Sequence, residues 1–272
     1  MKKSRLAFAA AGLGLALLVT ACAPAADEKP DAGAGEPTVL KVAAVQAPMT
    51  DVVKAAGEAI EDGYEVELVE VADYITANTI LNSGDVYANF SQHIPYMQTF
   101  NEGNDASLVG VQPVYNFVIA FYSKMLDDIA DLPEGGTVAI PDDPSNTGRA
   151  LKLLAANDVI TLDPAVDPYA ATVKDITENP KNLEFVQVPI SSLNAAYEEA
   201  DLVFQWPSHI KALGLNPDDD GLITELDDRF ALNLVVQQKD ADSDATKALA
   251  KAFTSDAVRE VIEGNGTITT AW

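Results

Sequence analysis

The chain has 272 residues, with 17 lysines and arginines against 42 aspartates and glutamates, and 48% of its residues are hydrophobic. This length can bury one large core or the cores of two lobes of about 100–150 residues each. The formal net charge of −25 argues against a nucleic-acid or anionic-membrane partner, because binding to phosphates requires a basic surface. The single cysteine excludes a disulfide framework, a four-cysteine zinc site and an intrachain thiol pair.

The first 22 residues have the pattern of an export signal. A short basic segment (MKKSR) precedes an apolar run over residues 6–20, which is shorter than the roughly 20 residues of a membrane-spanning helix. The run ends in Val19-Thr20-Ala21-Cys22, which resembles a bacterial lipobox, whose cysteine is lipid-modified and becomes the mature N-terminus. We therefore expect residues 1–21 to be removed and acyl chains on Cys22 to hold the protein on the extracytoplasmic side of the cell membrane. An ordinary signal peptide with a chance cysteine is the alternative.

Strands and helices alternate along the rest of the chain, after a flexible lipidated tether over residues 22–38. Strands are predicted over residues 39–45, 65–71, 86–90, 137–140, 183–188, 202–205 and 232–237, an extended stretch over 108–122, and helices over 49–60, 72–82, 94–101, 146–157, 191–199 and 243–263. This order predicts an α/β fold with mostly parallel sheets. We expect two lobes with a ligand cleft between them, residues 39–121 plus 233–272 forming lobe 1 and residues 122–232 forming lobe 2.

A polar turn separates the strand at 137–140 from the helix that begins near Asn146. Backbone N–H groups at the start of a helix are unpaired and attract an anion. Arg149, in the first turn, could grip a carboxylate with two hydrogen bonds. The alternative is a helix capped by Ser145 or Asn146, with Arg149 in solvent or paired with Asp142 or Asp143.

Two further polar and aromatic clusters follow predicted strands. Residues 89–93 (NFSQH) offer an aromatic ring, amides and an imidazole, and residues 206–209 (WPSH) offer an indole, a hydroxyl and a second imidazole. Both clusters could line a cleft. The alternatives are a helix entry with a buried Phe90 and a capping Ser91, and a Trp206 that only packs between the lobes.

The sequence carries no catalytic motif that we can identify. His93 and His209 are its two histidines, and it lacks a metal-binding histidine spacing, a G-x-S-x-G elbow, a P-loop and a G-x-G-x-x-G motif. We therefore expect a protein that is not an enzyme and needs no cofactor. A weak calcium candidate has oxygen ligands at calcium-loop spacing, with a plain acidic turn as the alternative. Its candidate ligands are Asn216, Asp218, Asp220 and Asp227.

Several segments resemble the NlpA/MetQ-type methionine-binding lipoproteins, which are solute-binding components of methionine-uptake ABC transporters. The long matching segments are residues 138–151 (VAIPDDPSNTGRAL) and 171–183 (ATVKDITENPKNL). Shorter matches are Asp73-Tyr74, Asn89 with Gln92-His93, Tyr122-Ser123-Lys124 and Ala271-Trp272. The resemblance covers residues 39–272. It implies a two-lobed periplasmic-binding-protein fold (type II), a methionine-like, carboxylate-bearing ligand, and a membrane permease with its ATPase as partners.

The resemblance also implies roles for individual residues. Asn146 and Arg149 match the family residues that hold the ligand carboxylate, and Tyr74 matches a binding tyrosine. Phe90 and His93 match the wall around the thioether, whose sulfur is stabilised by about 0.3–1.5 kcal/mol beside aromatic edges. The complete predicted ligand site consists of Tyr74, Asn89, Phe90, His93, Asn146, Arg149, Trp206 and Ser208.

The chain departs from the family pattern at three places. Residues 206–209 (WPSH) replace Asn-Gly-Asn-Tyr, residues 45–49 (VQAPM) replace Thr-Pro-Gly-Pro-His, and Phe90-Ser91 replaces a Tyr-Phe pair. The family's asparagines help to bind polar groups on the ligand's α-carbon, whereas Trp206 has one donor and no acceptor. Three interpretations stay open: methionine or a derivative as ligand, another small carboxylate on the same scaffold, or a surface lipoprotein with an adhesion or scaffold role.

Overall fold

A computed structural model describes residues 36–272 of the chain. The predictions for the export signal and for Cys22 lie outside these residues. The strands are β1 (Thr38–Ala44), β2 (Tyr64–Glu70), β3 (Ala88–His93), β4 (Leu108–Phe117), β5 (Ile119–Tyr122), β6 (Thr137–Pro141), β7 (Thr161–Leu162), β8 (Ile176–Glu178), β9 (Glu184–Val188), β10 (Leu202–Gln205), β11 (Ile223–Glu225), β12 (Leu232–Gln237) and β13 (Ile268–Thr270). No helix within 36–272 has the length and apolar character needed to cross a membrane.

The helices follow the same chain order. They are α1 (Met49–Ala59), α2 (Tyr74–Ser83), α3 (Ile94–Asn104), α4 (Pro144–Ala156), α5 (Leu193–Ala196), α6 (Pro207–Ile210), α7 (Pro217–Asp220), α8 (Asp244–Ala252) and α9 (Asp256–Asn265). Single 3₁₀ turns lie at Ile129–Asp131, Pro168–Ala170, Val173–Asp175, Ile190–Ser192, Lys211–Leu213, Asp228–Phe230 and Gln238–Asp240. The alternation of strands and helices agrees with the predicted α/β class.

Two sheets form the framework of two lobes. The sheet of lobe 1 has the strand order β13-β4-β12-β3-β1-β2, and the sheet of lobe 2 has the order β11-β5-β10-β6-β9. The chain passes from the first sheet to the second between Phe117 and Ile119 and returns between Glu225 and Leu232. The residue-level lobe boundaries remain a prediction, and they fall close to these two crossings.

The sheets are less parallel than the sequence predicted. Among the strands described in residues 36–272, four of the nine pairings in the two lobe sheets are parallel: β1 with β2 and β3, and β6 with β9 and β10. The other five pairings are antiparallel and involve β4, β5, β11, β12 and β13. Hydrophobic periodicity does not encode strand direction. The strands next to the two crossings run antiparallel to their neighbours in the sheets.

Two predicted helices differ from the structure. The predicted helix over 243–263 is interrupted between α8 and α9, because the Ser255 hydroxyl accepts a hydrogen bond from the Val258 amide (3.4 Å) and starts a new helix. The predicted helix over 191–199 shortens to a 3₁₀ turn followed by α5. Strands β7, β8, β11 and β13 were not predicted, since two or three residues give no periodic signal.

Central strands are buried along their full length. Every residue of β3 and β10 is buried, whereas β2, at the edge of its sheet, has half-buried and exposed side chains. β3 is also rich in polar side chains, with the sequence ANFSQH. Burying so many polar groups is costly unless they make hydrogen bonds or face a ligand, so β3 marks the part of lobe 1 where a site is expected.

Gly148 lets α4 pack directly against the 3₁₀ turn at Pro168–Ala170. A Cβ atom at this position would lie 2.3 Å from the carbonyl oxygen of Tyr169, and backbone cannot move aside as a side-chain tip can. We expect Gly148→Ala to lower the free energy of unfolding by about 1–3 kcal/mol in urea denaturation. Gly103→Ala in α3, where nothing lies within 4 Å, is the matched control and should be neutral or stabilising. Equal stability of the two variants would contradict this packing argument.

Candidate functional site

A cavity of about 390 Å³ lies between the two lobes. Lobe 1 contributes the β1–α1 connection, the start of α2, and residues of β3 and β4, while lobe 2 contributes the start of α4 and the region of α6. The volume is typical of a small-molecule site. The structure brings five of the predicted ligand residues to this cavity. They are Tyr74, His93, Asn146, Trp206 and Ser208.

Tyr74 and His209 join the two lobes on one side of the cavity. The Tyr74 hydroxyl lies 2.8 Å from His209 Nε2. Tyr74 is the first residue of α2, where Asp73 accepts a hydrogen bond from the Thr76 amide (2.7 Å) and caps the helix. Burial raises the pKa of Tyr74 and lowers the pKa of His209 to about 4. At neutral pH this hydrogen bond therefore joins an uncharged phenol and an uncharged imidazole.

His93 and Asn146 form a second hydrogen bond between the lobes. His93 Nε2 donates to Asn146 Oδ1 (3.0 Å), and His93 Nδ1 accepts from the Tyr96 amide (3.2 Å). Burial, reinforced by the positive charge of Arg149, lowers the pKa of His93 to about 3. Burial thus favours the neutral imidazole, and the two hydrogen bonds fix the tautomer that carries its proton on Nε2.

The start of α4 is capped by Asp143, which differs from the predicted caps at Ser145 and Asn146. The Asp143 carboxylate accepts hydrogen bonds from the Asn146 backbone amide (3.0 Å) and from Asn146 Nδ2 (2.9 Å). Burial raises the pKa of Asp143. The side-chain amide of Asn146 therefore links the helix cap to His93, and the chain itself supplies an anion at this helix start.

Arg149 is fully buried and does not line the cavity. Its Nε donates to Glu225 Oε1 (3.3 Å), so its partner is not one of the aspartates considered from sequence. The guanidinium carbon lies 4.1 Å from the Phe230 ring centroid and 5.3 Å from that of Phe117, a ring on the cavity wall. Burial lowers the pKa of Arg149 to about 10, which leaves it charged at neutral pH. Among residues 36–272, Nη1 and Nη2 have no hydrogen-bond partner.

Asn89 and Phe90 lie beside the cavity but do not line it. Asn89 Nδ2 donates to Asn78 Oδ1 (2.7 Å) in a buried amide network. Phe90 faces the core, where its ring centroid lies 5.5 Å from that of Tyr115 and 5.1 Å from that of Phe253. Both predicted residues therefore support the cavity wall from behind.

A β-bulge lets three consecutive residues of β3, Ser91, Gln92 and His93, line the cavity. Phe90 pairs with Leu234 and Gln92 pairs with Asn233, so Ser91 is an extra residue with no partner on β12. The bulge breaks the alternation of side chains along β3, and Ser91 reaches the cavity while Phe90 stays in the core. A buried Phe90 is the alternative that the sequence analysis left open, and it is the position that the structure shows.

Trp206 both packs and lines the cavity. It is 8% exposed, and its ring meets that of Phe204 edge-on, with 5.2 Å between centroids. Pro207 begins α6 directly afterwards, and Ser208 faces the cavity from that helix. Trp206 therefore has both positions considered from the sequence: it packs against a neighbouring ring, and it lines the cavity.

Several cavity residues were not among the predicted site residues. They are Gln46, Met49, Ser91, Gln92, Tyr96, Tyr115, Phe117, Leu232, Thr267 and Ile268. The segment at 45–49 carried a signal, because it departs from the family pattern. The residues of β4, β12 and β13 carried none. β12 and β13 reach the cavity only because the chain end returns to lobe 1 and pairs with β4.

The calcium candidate does not form a metal site. Asn216 caps α7, accepting hydrogen bonds from the Asp218 and Asp219 amides (3.0 Å each), and Asp220 accepts from the Asn216 amide (2.8 Å). Asp227 turns to Arg229 and Tyr169 instead. Within the described part of the chain, no group of three or more histidine, cysteine or acidic side chains could hold a metal ion. The acidic turn, the alternative considered from sequence, is what the structure shows.

Comparison with known proteins identifies the family. A model of the NlpA lipoprotein family matches residues 40–270. The chain belongs to the NlpA lipoprotein family. One similar NlpA lipoprotein is the probable D-methionine-binding lipoprotein MetQ of Haemophilus influenzae, 34% identical over 255 residues that cover 92% of each chain.

Two solved structures resemble this NlpA lipoprotein closely. A nutrient binding protein from Burkholderia cenocepacia bound to methionine is 32% identical with a TM-score of 0.81, over 86% of this chain and 100% of that one. An ABC transporter periplasmic substrate-binding protein from Coxiella burnetii is 28% identical with a TM-score of 0.80, over 85% of this chain and 99% of that one. These similarities confirm the predicted family and the two-lobed periplasmic-binding-protein fold.

Proposed function

We propose that this NlpA lipoprotein is the solute-binding component of an ABC importer and that it encloses methionine or a methionine derivative between its lobes. The observation that carries the proposal is the cavity, which is lined from both lobes and flanked by the hydrogen bonds Tyr74–His209 and His93–Asn146. The names of the similar proteins, which include a methionine-bound structure and an ABC substrate-binding protein, support the same role.

The proposed mechanism is a population shift between open and closed forms. A ligand that contacts both lobes favours the closed arrangement, in which the two interlobe hydrogen bonds are made. The closed protein would then deliver its ligand to a membrane permease driven by a cytoplasmic ATPase. An acylated Cys22 would keep the protein at the outer face of the membrane, close to that permease. In this role the protein binds and releases its ligand without changing it chemically.

Within the cavity we propose that the ligand carboxylate lies near Asn146, His93 and the charge of Arg149. The apolar part of the ligand would pack against Tyr74 and Trp206, which line the cavity from opposite lobes. Aromatic edges suit a thioether sulfur, so this arrangement fits a methionine side chain. Ser208 would supply a hydroxyl to a polar group of the ligand.

Thermal unfolding with a ligand panel tests the proposed function. The purified protein, freed of bound ligand by unfolding and refolding, would be heated with L-methionine, D-methionine, methionyl dipeptides or unrelated carboxylic acids, each at about 1 mM. A ligand with a dissociation constant of about 1 μM should stabilise the folded protein by about 4 kcal/mol, which raises the melting temperature by roughly 8–16 °C. No shift with any methionine compound would contradict the proposal.

A further inference from the structure

Two polar groups on the cavity wall have no hydrogen-bond partner among the described residues 36–272. They are the side-chain amide nitrogen of Gln46 and the hydroxyl of Ser91, and both atoms are shielded from solvent. Ser91 as a whole is 3% exposed. Folded proteins rarely bury such groups unpaired, because each loses its hydrogen bonds to water. These two groups are therefore candidates for direct contact with the ligand.

The backbone brings the two residues to the same end of the sheet. β1 and β3 are neighbouring parallel strands in which Ala43 pairs with Asn89, so Gln46 and Ser91 come shortly after this pair and at the carboxyl ends of the strands. Ligands of such sheets bind at this end. Ser91 is also the extra residue of the bulge in β3, and bulges commonly redirect a side chain beside a binding site.

The cavity wall to which these two groups belong also has a large apolar and aromatic part. Its members include Met49, Tyr115, Phe117, Trp206, Leu232 and Ile268. A thioether sulfur is only a weak hydrogen-bond acceptor, so a methionine whose carboxylate lies near Asn146, as proposed above, gives the amide of Gln46 and the hydroxyl of Ser91 no strong partner. A neutral oxygen, as in a sulfoxide or a side-chain amide, can accept a hydrogen bond from each of them.

We propose that Gln46 and Ser91 form a polar subsite that binds a neutral oxygen on the side chain of a carboxylate-bearing amino-acid ligand. The inference rests on the proposed solute-binding function. A preference for the sulfoxide narrows the proposed ligand class, whereas a preference for glutamine supports the subsite and contradicts methionine as the ligand. The subsite distinguishes ligands because one without the oxygen leaves two buried donors unpaired. An unpaired buried donor lowers the affinity for a similar ligand far more than the loss of an apolar contact does.

Isothermal titration calorimetry of the purified protein with L-methionine, L-methionine sulfoxide and L-glutamine tests the subsite. We expect at least one of the two oxygen-bearing ligands to bind tenfold or more tightly than methionine. The difference between the affinities for the sulfoxide and for glutamine shows whether the subsite prefers a sulfoxide or an amide oxygen. Ser91→Ala and Gln46→Met should each weaken binding of the preferred ligand by about tenfold, as the loss of one hydrogen bond predicts. Their affinity for methionine should change by less than about threefold.

Matched controls are Ser83→Ala in α2 and Gln98→Met in α3, the same changes at exposed positions, which should leave all affinities unchanged. Without ligand, the two subsite variants should melt at or above the temperature of the parent protein, because each removes an unpaired buried group. Methionine binding with no preference for an oxygen overturns the subsite and leaves the proposed function standing. Failure of all three ligands to bind overturns the subsite, and the thermal panel, which also contains D-methionine and methionyl dipeptides, then decides the proposed function separately.

Discussion

Replacing Arg149 with alanine should weaken ligand binding at least about a hundredfold. Arg149 is the one fully buried cation among residues 36–272, and its Nη1 and Nη2 donors are unpaired there. It lies against Phe117, a ring of the cavity wall, where a low local dielectric strengthens its attraction for a ligand carboxylate. Calorimetric titration with the ligand found by the thermal panel measures the effect.

The same substitution has a second effect that must be separated from the first. Removing the guanidinium leaves the Glu225 carboxylate, whose side chain is 10% exposed, without its partner, which should cost about 3–5 kcal/mol of stability. The double variant Arg149→Met with Glu225→Gln removes both charges at similar shape. We expect it to recover most of this stability while its affinity remains about a hundredfold lower.

An exposed ion pair provides the control for the double variant. Lys251 and Glu61 lie 3.3 Å apart with both side chains at least half exposed, so Lys251→Met with Glu61→Gln should change neither stability nor affinity appreciably. If the Arg149→Met, Glu225→Gln protein binds ligand with the affinity of the parent, the proposed role of Arg149 toward the carboxylate is wrong.

Acidification from pH 7 to pH 5 should destabilise the folded protein through both histidines. Burial lowers the pKa of His93 to about 3 and that of His209 to about 4, whereas an unfolded histidine titrates near 6.5. The unfolded state therefore takes up protons first, so this contribution to stability is complete above pH 6.5 and is lost as the pH falls. Each histidine should account for about 2 kcal/mol by pH 5.

Urea unfolding over this pH range, on the parent protein and on His93→Gln, His209→Gln and the double variant, measures the effect. The sequence contains two histidines, so the double variant should lose the whole histidine contribution to the slope. Burial raises the pKa of Asp143, so protonation of this carboxyl acts in the opposite direction and stabilises the fold as the pH falls. Asp143 is present in all four proteins, so its contribution to the pH dependence largely cancels when their slopes are compared. Identical slopes for the parent and the double variant would contradict the neutral, buried state of both histidines.

Local sequence patterns were sufficient for the fold class and for part of the site. Strand and helix periodicity predicted the α/β alternation, and the polar clusters that follow strands predicted His93, Asn146 and Trp206, which line the cavity. The reason is local: the residue after a strand in such a fold lies at the end of the sheet where ligands bind. The family resemblance added Tyr74, which local patterns alone did not mark.

Contacts between residues far apart in the chain were decided only by the tertiary structure. Glu225, 76 residues after Arg149, is its buried partner, and no local pattern indicates that pairing. The register of β3 against β12 creates the bulge at which the consecutive residues Ser91 and Gln92 both line the cavity. Strand direction likewise depends on where the chain crosses between lobes. A sequence window records which side chains are neighbours along the chain, whereas these features depend on how distant strands pair.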